Sequence, residues 1–111
     1  MEMTHAIAWF FGGVFLANSV PHLTAGLMGM PFQSPFAKPP GEGLSSSTVN
    51  VLWGAFNLAV AWGLILRVGA FELRALEHVA VVGAGALLVS LWLARHFGRF
   101  HGGNNPGTKS L

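Results

Sequence analysis

Three long stretches of this chain carry almost no charged side chains, and this pattern limits what the chain can fold into. Charged residues make up 9% of the 111 residues, against roughly 25% in an ordinary soluble domain. A soluble fold of this size would lack the polar side chains needed to cover its surface. About 20 helical residues, at 1.5 Å each, cross the hydrocarbon core of a bilayer. The sequence therefore predicts an all-α membrane protein with three transmembrane helices in a single domain.

The predicted spans cover residues 6–30, 48–67 and 75–97, and residues 98–111 are predicted to form a polar, flexible tail. The first apolar run lacks the positively charged segment of a secretory signal peptide, so we interpret it as a transmembrane helix. Pro21 lies inside this run. Because proline removes a backbone donor and disfavours helix in Val20, we predict a kink or an unwound turn there.

A proline-rich loop, residues 31–44, is predicted to connect the first two helices. Its sequence is PFQSPFAKPPGEGL. The prolines prevent this segment from forming a helix. We expect an extended and ordered segment with Phe32 and Phe36 as anchors at the membrane interface. Residues 45–48, three serines and a threonine, supply side chains that can cap the second helix.

Small residues recur every four positions along the second helix. Ala55, Ala59 and Gly63 form a small-xxx-small stripe of the kind that lets membrane helices pack closely. Three helices leave much small-residue surface without a partner in one chain. We therefore expect a homo-oligomer, or a place in a larger membrane complex.

Polar residues concentrate in the half of the bundle that the loop covers. At 1.5 Å per residue, Asn18 and Asn57 lie within about 2 Å of the predicted midplane. His22 and Ser90 lie about 8 and 6 Å toward the loop, and Asn50 about 12 Å. One hypothesis is a small polar cavity under the loop, lined by these five residues. The alternative is hydrogen bonding between helices, with Asn18 clamped to Asn57 and His22 capping carbonyl groups freed by the proline.

The sequence leaves few ways to hold a cofactor. Without cysteine there are no disulfides and no thiolate ligands. A b-type haem would need a second histidine at the depth of His22, either His96 or His22 of another copy. Met28 and Met30 lie near His22 in sequence and have the soft sulfur that copper(I) prefers, although methionines at helix ends more often serve packing. We expect no cofactor.

The residue types favour a function other than catalysis. The chain shows no nucleophile–base pair, paired carboxylates or phosphate-binding loop. Its six Lys and Arg residues form no run, which argues against nucleic acid. We predict an oligomeric channel or carrier for a small polar solute or ion, or an accessory subunit. A haem- or metal-binding redox subunit that uses His22 is the alternative.

The charge distribution predicts a topology. Lys38, Arg95, Arg99 and Lys109 flank the spans on the loop side, against two arginines on the other side. By the positive-inside rule the loop side is cytoplasmic, so the N-terminus is outside and the C-terminus inside.

Residues 18–57 contain a PH pair, then PFQSPFAKPPGEGLSS, then NVLWGAFN. This pattern covers roughly half of the chain and resembles small bacterial inner-membrane proteins of an uncharacterised family. The resemblance implies a bacterial source and a location in the cytoplasmic membrane, and it brings no activity with it.

Overall fold

The computed structural model describes residues 1–108 and contains three long helices joined by one structured loop and one turn. The elements are α1 (Met3–Leu27), β1 (Phe32–Gln33), β2 (Leu44–Ser45), α2 (Ser47–Leu66), α3 (Leu76–His101) and a short 3-10 turn (Pro106–Thr108). All three long helices have the length and apolar composition needed to cross a membrane. The predicted all-helical architecture with three candidate spans is therefore confirmed. Lys109, which entered the topology prediction, lies outside the described residues.

Capping residues explain where the first two helices begin. Glu2 caps α1 by accepting a 3.0 Å hydrogen bond from the backbone N–H of Thr4, so the helix starts three residues before the predicted Ala6. This bond lowers the pKa of the Glu2 carboxyl group. Ser46 caps α2 by accepting from the N–H of Val49 at 3.2 Å, as its Ser/Thr cluster predicted.

The third helix is longer than predicted. It continues through Gly98 to His101, and Gly102 ends it in the left-handed conformation with φ of 71°. Glycine adopts this conformation without steric cost and commonly ends helices. Residues 98–101 therefore belong to α3, and their assignment to a polar tail was wrong.

Pro21 lies inside α1, and the helix is continuous on both sides of it. The predicted unwound turn is therefore absent, and a kink at Pro21 stays a prediction. In the preceding turn, the hydroxyl of Ser19 donates a 2.6 Å hydrogen bond to the carbonyl oxygen of Leu16. Side-chain bonds of this kind help membrane helices to accommodate proline.

The first helix occupies the centre of the bundle and packs against both other helices. A Cβ atom at Gly13 would overlap the backbone of Val82 on α3, and one at Gly54 would contact Leu23 at 2.6 Å. These glycines allow the helix backbones to approach closely. The long α1 thus packs along both α2 and α3.

The predicted packing stripe on α2 does not hold this chain together. Ala55 and Ala59 are exposed, and no atom within 4 Å would contact a Cβ at Gly63. Within the described residues, α2 instead buries Gly54 and Ala61 against its neighbours. The stripe faces outward, and its contact with another copy stays a prediction.

The loop between α1 and α2 is folded over one end of the bundle. β1 and β2 form an antiparallel pair that aligns Phe32 with Ser45 and Gln33 with Leu44. Phe32 is half-buried and its ring lies 4.7 Å from the ring of Phe97 between centroids, and its role as an interfacial anchor stays a prediction. Phe36 is 62% exposed and is free to contact lipid.

Candidate functional site

A cavity of about 200 Å³ lies under the folded loop, between residues of all three helices. At about 30 Å³ per molecule it would hold on the order of six waters. Its lining includes the predicted Asn18 and His22 together with loop residues and aromatic side chains. The complete lining is Asn18, His22, Gln33, Ser34, Pro35, Gly41, Trp53, Trp92, Leu93, His96 and Phe97.

His22 and Asn50 form the central polar contact of the site. His22 is 2% exposed and Asn50 is fully buried, and Nδ1 of His22 lies 2.7 Å from Oδ1 of Asn50. The amide nitrogen of Asn50 lies 3.0–3.2 Å from three backbone carbonyl oxygens, those of Phe32, Ser45 and Ser46. Carbonyl oxygens only accept hydrogen bonds, so these contacts fix the orientation of the amide.

This orientation determines the tautomer of His22. Because Oδ1 of Asn50 is an acceptor, Nδ1 of His22 carries the hydrogen and donates it. The neutral imidazole then has its lone pair on Nε2. Nε2 makes no hydrogen bond within residues 1–108. Since His22 lines the cavity, we infer that Nε2 presents a free acceptor there.

A second polar atom without a hydrogen-bond partner lies near His22 and is shut off from solvent. The indole nitrogen of Trp53 is enclosed and, alone among the described residues, has no hydrogen-bond partner despite full burial. Trp53 lines the cavity, and its ring lies edge-on to His22, 6.4 Å away between centroids at 73°. Unpaired buried donors are uncommon in proteins and often mark the place of a water or a ligand.

Hydrogen bonds to α3 hold the loop in place over the cavity. Nε2 of His96 donates to the carbonyl oxygen of Gly41 at 2.7 Å, and Nε2 of His101 lies 2.9 Å from Oε1 of Gln33. The Phe32 ring stacks on His101 at 5.3 Å and meets His22 edge-on at 5.6 Å. The loop thus closes one end of the cavity with ordered contacts.

The predicted clamp between the first two helices is present as well. Nδ2 of Asn18 donates to Oδ1 of Asn57 at 3.0 Å, and Nδ2 of Asn57 donates to the backbone oxygen of Trp53 at 2.7 Å. Asn50 and Asn57 lie behind the lining and orient the residues that form it. The cavity and the clamp, weighed as alternatives, therefore occur together.

Two details of the sequence interpretation are wrong. His22 bonds the side chain of Asn50, so its Nδ1 does not cap the carbonyl groups freed by Pro21. Ser90 is exposed and lines a separate groove between α1 and α3. The side of α3 that lines the cavity carries Leu93 and His96 instead.

The candidate copper ligands do not converge. Met28 and Met30 are 67% and 50% exposed, and they line another groove with His101, while His22 lines the cavity under the loop. The described residues contain no group of three His or carboxylate side chains placed to hold a metal ion.

The cavity beside His22 is small compared with ordinary ligand sites. The cavity, at about 200 Å³, is smaller than the roughly 300–1,000 Å³ of ordinary small-molecule sites. The rings of Phe32, Trp53 and Phe97 surround His22 at 5.6–6.4 Å. These rings pack around His22, and a haem at His22 stays a prediction.

A larger groove of about 520 Å³ runs along the outer face of α2. Its lining is Phe36, Val49, Leu52, Trp53 and Phe56. These side chains are apolar apart from the indole nitrogen of Trp53, which is enclosed. The groove fits lipid contact, and the smaller cavity is the better candidate for recognition because polar side chains such as those of Asn18, His22 and Gln33 line it.

Sequence reasoning missed a second polar cluster at the opposite end of the bundle. Nε1 of Trp9 donates to the carbonyl oxygen of Val68 at 2.8 Å, and the Trp9 ring lies between His5 and His78 at 5.7 and 4.5 Å. Their role is to anchor the turn between α2 and α3, a contact that appears only when Phe71 and the turn fold back on α1.

Fold and site together define a class: a chain with three helices apolar enough to cross a membrane and a small loop-covered cavity at one end. No protein-family model, curated protein or solved structure matches this chain.

Proposed function

We propose that this protein is a small multi-pass membrane protein of the bacterial inner membrane that binds a small polar solute in the cavity under the loop. The protein then acts either as an oligomeric carrier or channel that transports the solute, or as an accessory subunit of a larger complex. The proposal rests on the bond from Nδ1 of His22 to Asn50, which leaves Nε2 without a hydrogen-bond partner in a residue that lines the cavity. The proposed topology has the N-terminus outside and the C-terminus in the cytoplasm.

The groups that line the cavity suit the binding of a solute and lack what a hydrolytic reaction would need. Its described lining contains no carboxylate, lysine or arginine. The hydroxyl of Ser34 is engaged with that of Ser45 and accepts from the N–H of Phe36 at 3.1 Å. His22 therefore has no adjacent nucleophile to activate, which is what hydrolytic catalysis would require.

A kink at Pro21 belongs to the same proposal. His22 follows Pro21 directly, and a proline in a membrane helix weakens the backbone bonding of the preceding turn. A bend at this position would move His22 relative to α3 and open the cavity between the helices. The bend would thereby couple solute entry to a movement of α1.

Solute entry into proteoliposomes tests the transport form of the proposal. Vesicles with and without the protein are mixed with hyperosmotic urea, acetamide or glycerol, and reswelling is followed by light scattering. We expect at least one solute to enter faster with the wild-type protein. His22→Phe, which keeps a ring and removes both nitrogens, should abolish the gain. Ser90→Ala is the matched control, because Ser90 lies outside the cavity lining. Equal reswelling with every solute and variant would reject the carrier or channel.

Native mass spectrometry in mild detergent distinguishes a carrier or channel built from copies of this chain from an accessory subunit of a larger complex. A homo-oligomer without added mass supports a carrier or channel formed by copies of this chain. Retention of another subunit supports the accessory role. A monomer in the detergent and in nanodiscs would contradict the proposed assembly through the outward stripe of Ala55, Ala59 and Gly63.

A further inference from the structure

We propose that the apolar groove on the outer face of α2 holds an acyl chain of an anionic phospholipid from the leaflet at the loop end, and that this lipid stabilises the loop over the cavity. The inference goes beyond the proposed function and does not depend on what the cavity binds. It follows from the apolar lining of the groove, from the loop residue in that lining, and from the charge at this end of the bundle.

Aromatic rings build the shape of the groove. Phe36 meets Trp53 edge-on at 5.0 Å between ring centroids, and Phe56 stacks on Trp53 at 5.7 Å. Val49, Trp53 and Phe56 are spaced by four and three residues and therefore share one face of α2. At 1.5 Å per residue, positions 49–56 extend about 10 Å along the helix, about two thirds of the roughly 15 Å of hydrocarbon in one leaflet. The groove thus has the dimensions to seat part of an acyl chain.

A lipid chain is the occupant that suits this lining. Phe36, Leu52 and Phe56 are 62%, 65% and 56% exposed, on a helix with the length and apolar composition of a membrane span. A polar solute would lose its hydrogen bonds to water in a groove of apolar side chains. An acyl chain has no hydrogen bonds to lose, and it gains van der Waals contacts with the rings.

The charge at the loop end favours an anionic headgroup. Lys38 lies in the loop, and Arg95 and Arg99 flank His96, which bonds the loop. Within the described residues, the only carboxylate at this end is that of Glu42, and Lys38 forms no ion pair there. The opposite end instead carries two basic and three acidic side chains: Arg67, Arg74, Glu2, Glu72 and Glu77. Basic residues at a membrane surface attract anionic lipids, so the loop end is the one that should recruit them.

The groove and the cavity share a wall, which connects lipid binding to the loop. Trp53 lines both spaces. The backbone N–H of Phe36 donates a 3.1 Å hydrogen bond to Oγ of Ser34, and Ser34 is 1% exposed and lines the cavity. A chain packed against the Phe36 ring would therefore hold the segment that covers the cavity.

Quenching of tryptophan fluorescence by brominated lipids tests the site. Trp62→Phe/Trp92→Phe leaves Trp53 as the reporter, together with Trp9, which is 2% exposed at the opposite end. Proteoliposomes contain phosphatidylcholine and phosphatidylglycerol, and one or the other carries bromine on its acyl chains. Brominated phosphatidylglycerol should quench Trp53 with an association constant about fivefold higher, since one lysine near an anionic surface contributes about 1 kcal/mol.

A second reporter separates this site from general lipid contact. Trp53→Phe/Trp92→Phe leaves Trp62, which is 54% exposed on α2 and lies outside the groove lining. Both brominated lipids should quench Trp62 equally. Equal quenching of Trp53 by the two lipids would overturn the anionic site. A Trp53 that neither lipid quenches would show that protein fills the groove, as a second copy would, and would also overturn the inference.

Substitutions in the Trp53 reporter test the groove and the charge separately. Val49→Phe adds bulk inside the groove and should abolish the preference for phosphatidylglycerol. Leu58→Phe adds similar bulk on α2 outside the groove lining and should leave the preference unchanged. Lys38→Gln should reduce the preference, and Lys38→Arg should retain it. Unchanged quenching in both Val49→Phe and Lys38→Gln would contradict the site.

Hydrogen–deuterium exchange of the wild-type protein tests the effect on the loop. Exchange in residues 31–44 should be slower in nanodiscs that contain phosphatidylglycerol than in nanodiscs of phosphatidylcholine alone. Residues 67–75, at the opposite end, should exchange equally in both. Loop exchange that does not depend on the lipid would overturn the stabilising role of the lipid.

Discussion

Oδ1 of Asn50 lies 2.7 Å from Nδ1 of His22 and joins α2 to α1 directly under the loop. The same Asn50 side chain donates to the carbonyl oxygens of Phe32 and Ser45, so one amide ties two helices and both short strands together. Positioning of His22 and folding of the loop therefore depend on one residue. This dependence leads to the first of four predictions.

Asn50→Leu should lower the free energy of unfolding by about 3 kcal/mol, since it removes a buried donor from several carbonyl oxygens and the acceptor from His22. Unfolding by sodium dodecyl sulfate in mixed micelles, followed by tryptophan fluorescence, measures the loss. Thr48→Ala is the control in the same helical turn, because Thr48 is exposed. An Asn50→Leu protein as stable as this control would contradict the central role of the amide.

The Asn18–Asn57 bond should show a coupling energy of about 1 kcal/mol in a double-mutant cycle, as membrane hydrogen bonds commonly do. Asn57→Ala should cost more than Asn18→Ala, because Asn57 is fully buried and also donates to the backbone oxygen of Trp53. The same detergent titration supplies the four free energies. Strictly additive single effects would show that the bond contributes nothing to the clamp.

Trp9→Phe should loosen the turn between α2 and α3, since it keeps most of a ring that is 2% exposed and removes the donor to Val68. The lost bond corresponds to about 1 kcal/mol. Hydrogen–deuterium exchange should therefore rise in residues 67–75 and stay unchanged in the loop over the cavity. Trp62→Phe serves as the control. Unchanged exchange in the turn would disprove the anchoring role of Trp9.

Gly85→Ala and Gly83→Ala should differ sharply although the two positions are only two residues apart in α3. A Cβ at Gly85 would overlap the backbone carbonyl of Phe10, whereas none of the surrounding atoms lies within 4 Å of a Cβ at Gly83. The first change should destabilise the bundle by about 1–3 kcal/mol through overpacking. The second should be neutral or slightly stabilising, because alanine is the better helix former. Detergent unfolding compares them, and similar stabilities would mean that α1 and α3 do not pack as described.

Much of the site could be predicted from the depth of polar residues. Asn18, His22, Asn50 and Asn57 come together as their heights along the helices indicated. Ser90 shares their depth but points elsewhere, because depth along a helix does not determine which neighbour a side chain faces. Gln33 and Trp53 were missed as site residues, and His96 was considered only as a haem ligand, since their roles depend on how the loop folds back onto α3.

The amino-acid sequence by itself determined the three helices, their approximate ends and the concentration of polar groups in one half of the bundle. These properties follow from local composition, because backbone hydrogen bonding and apolar length decide where a helix can cross a membrane. Only the tertiary structure decided that α1 lies between α2 and α3, that Asn50 orients His22, and that the Ala55–Ala59–Gly63 stripe faces outward. Those outcomes depend on the rotation of each helix about its axis, which close packing of residues distant in the sequence determines.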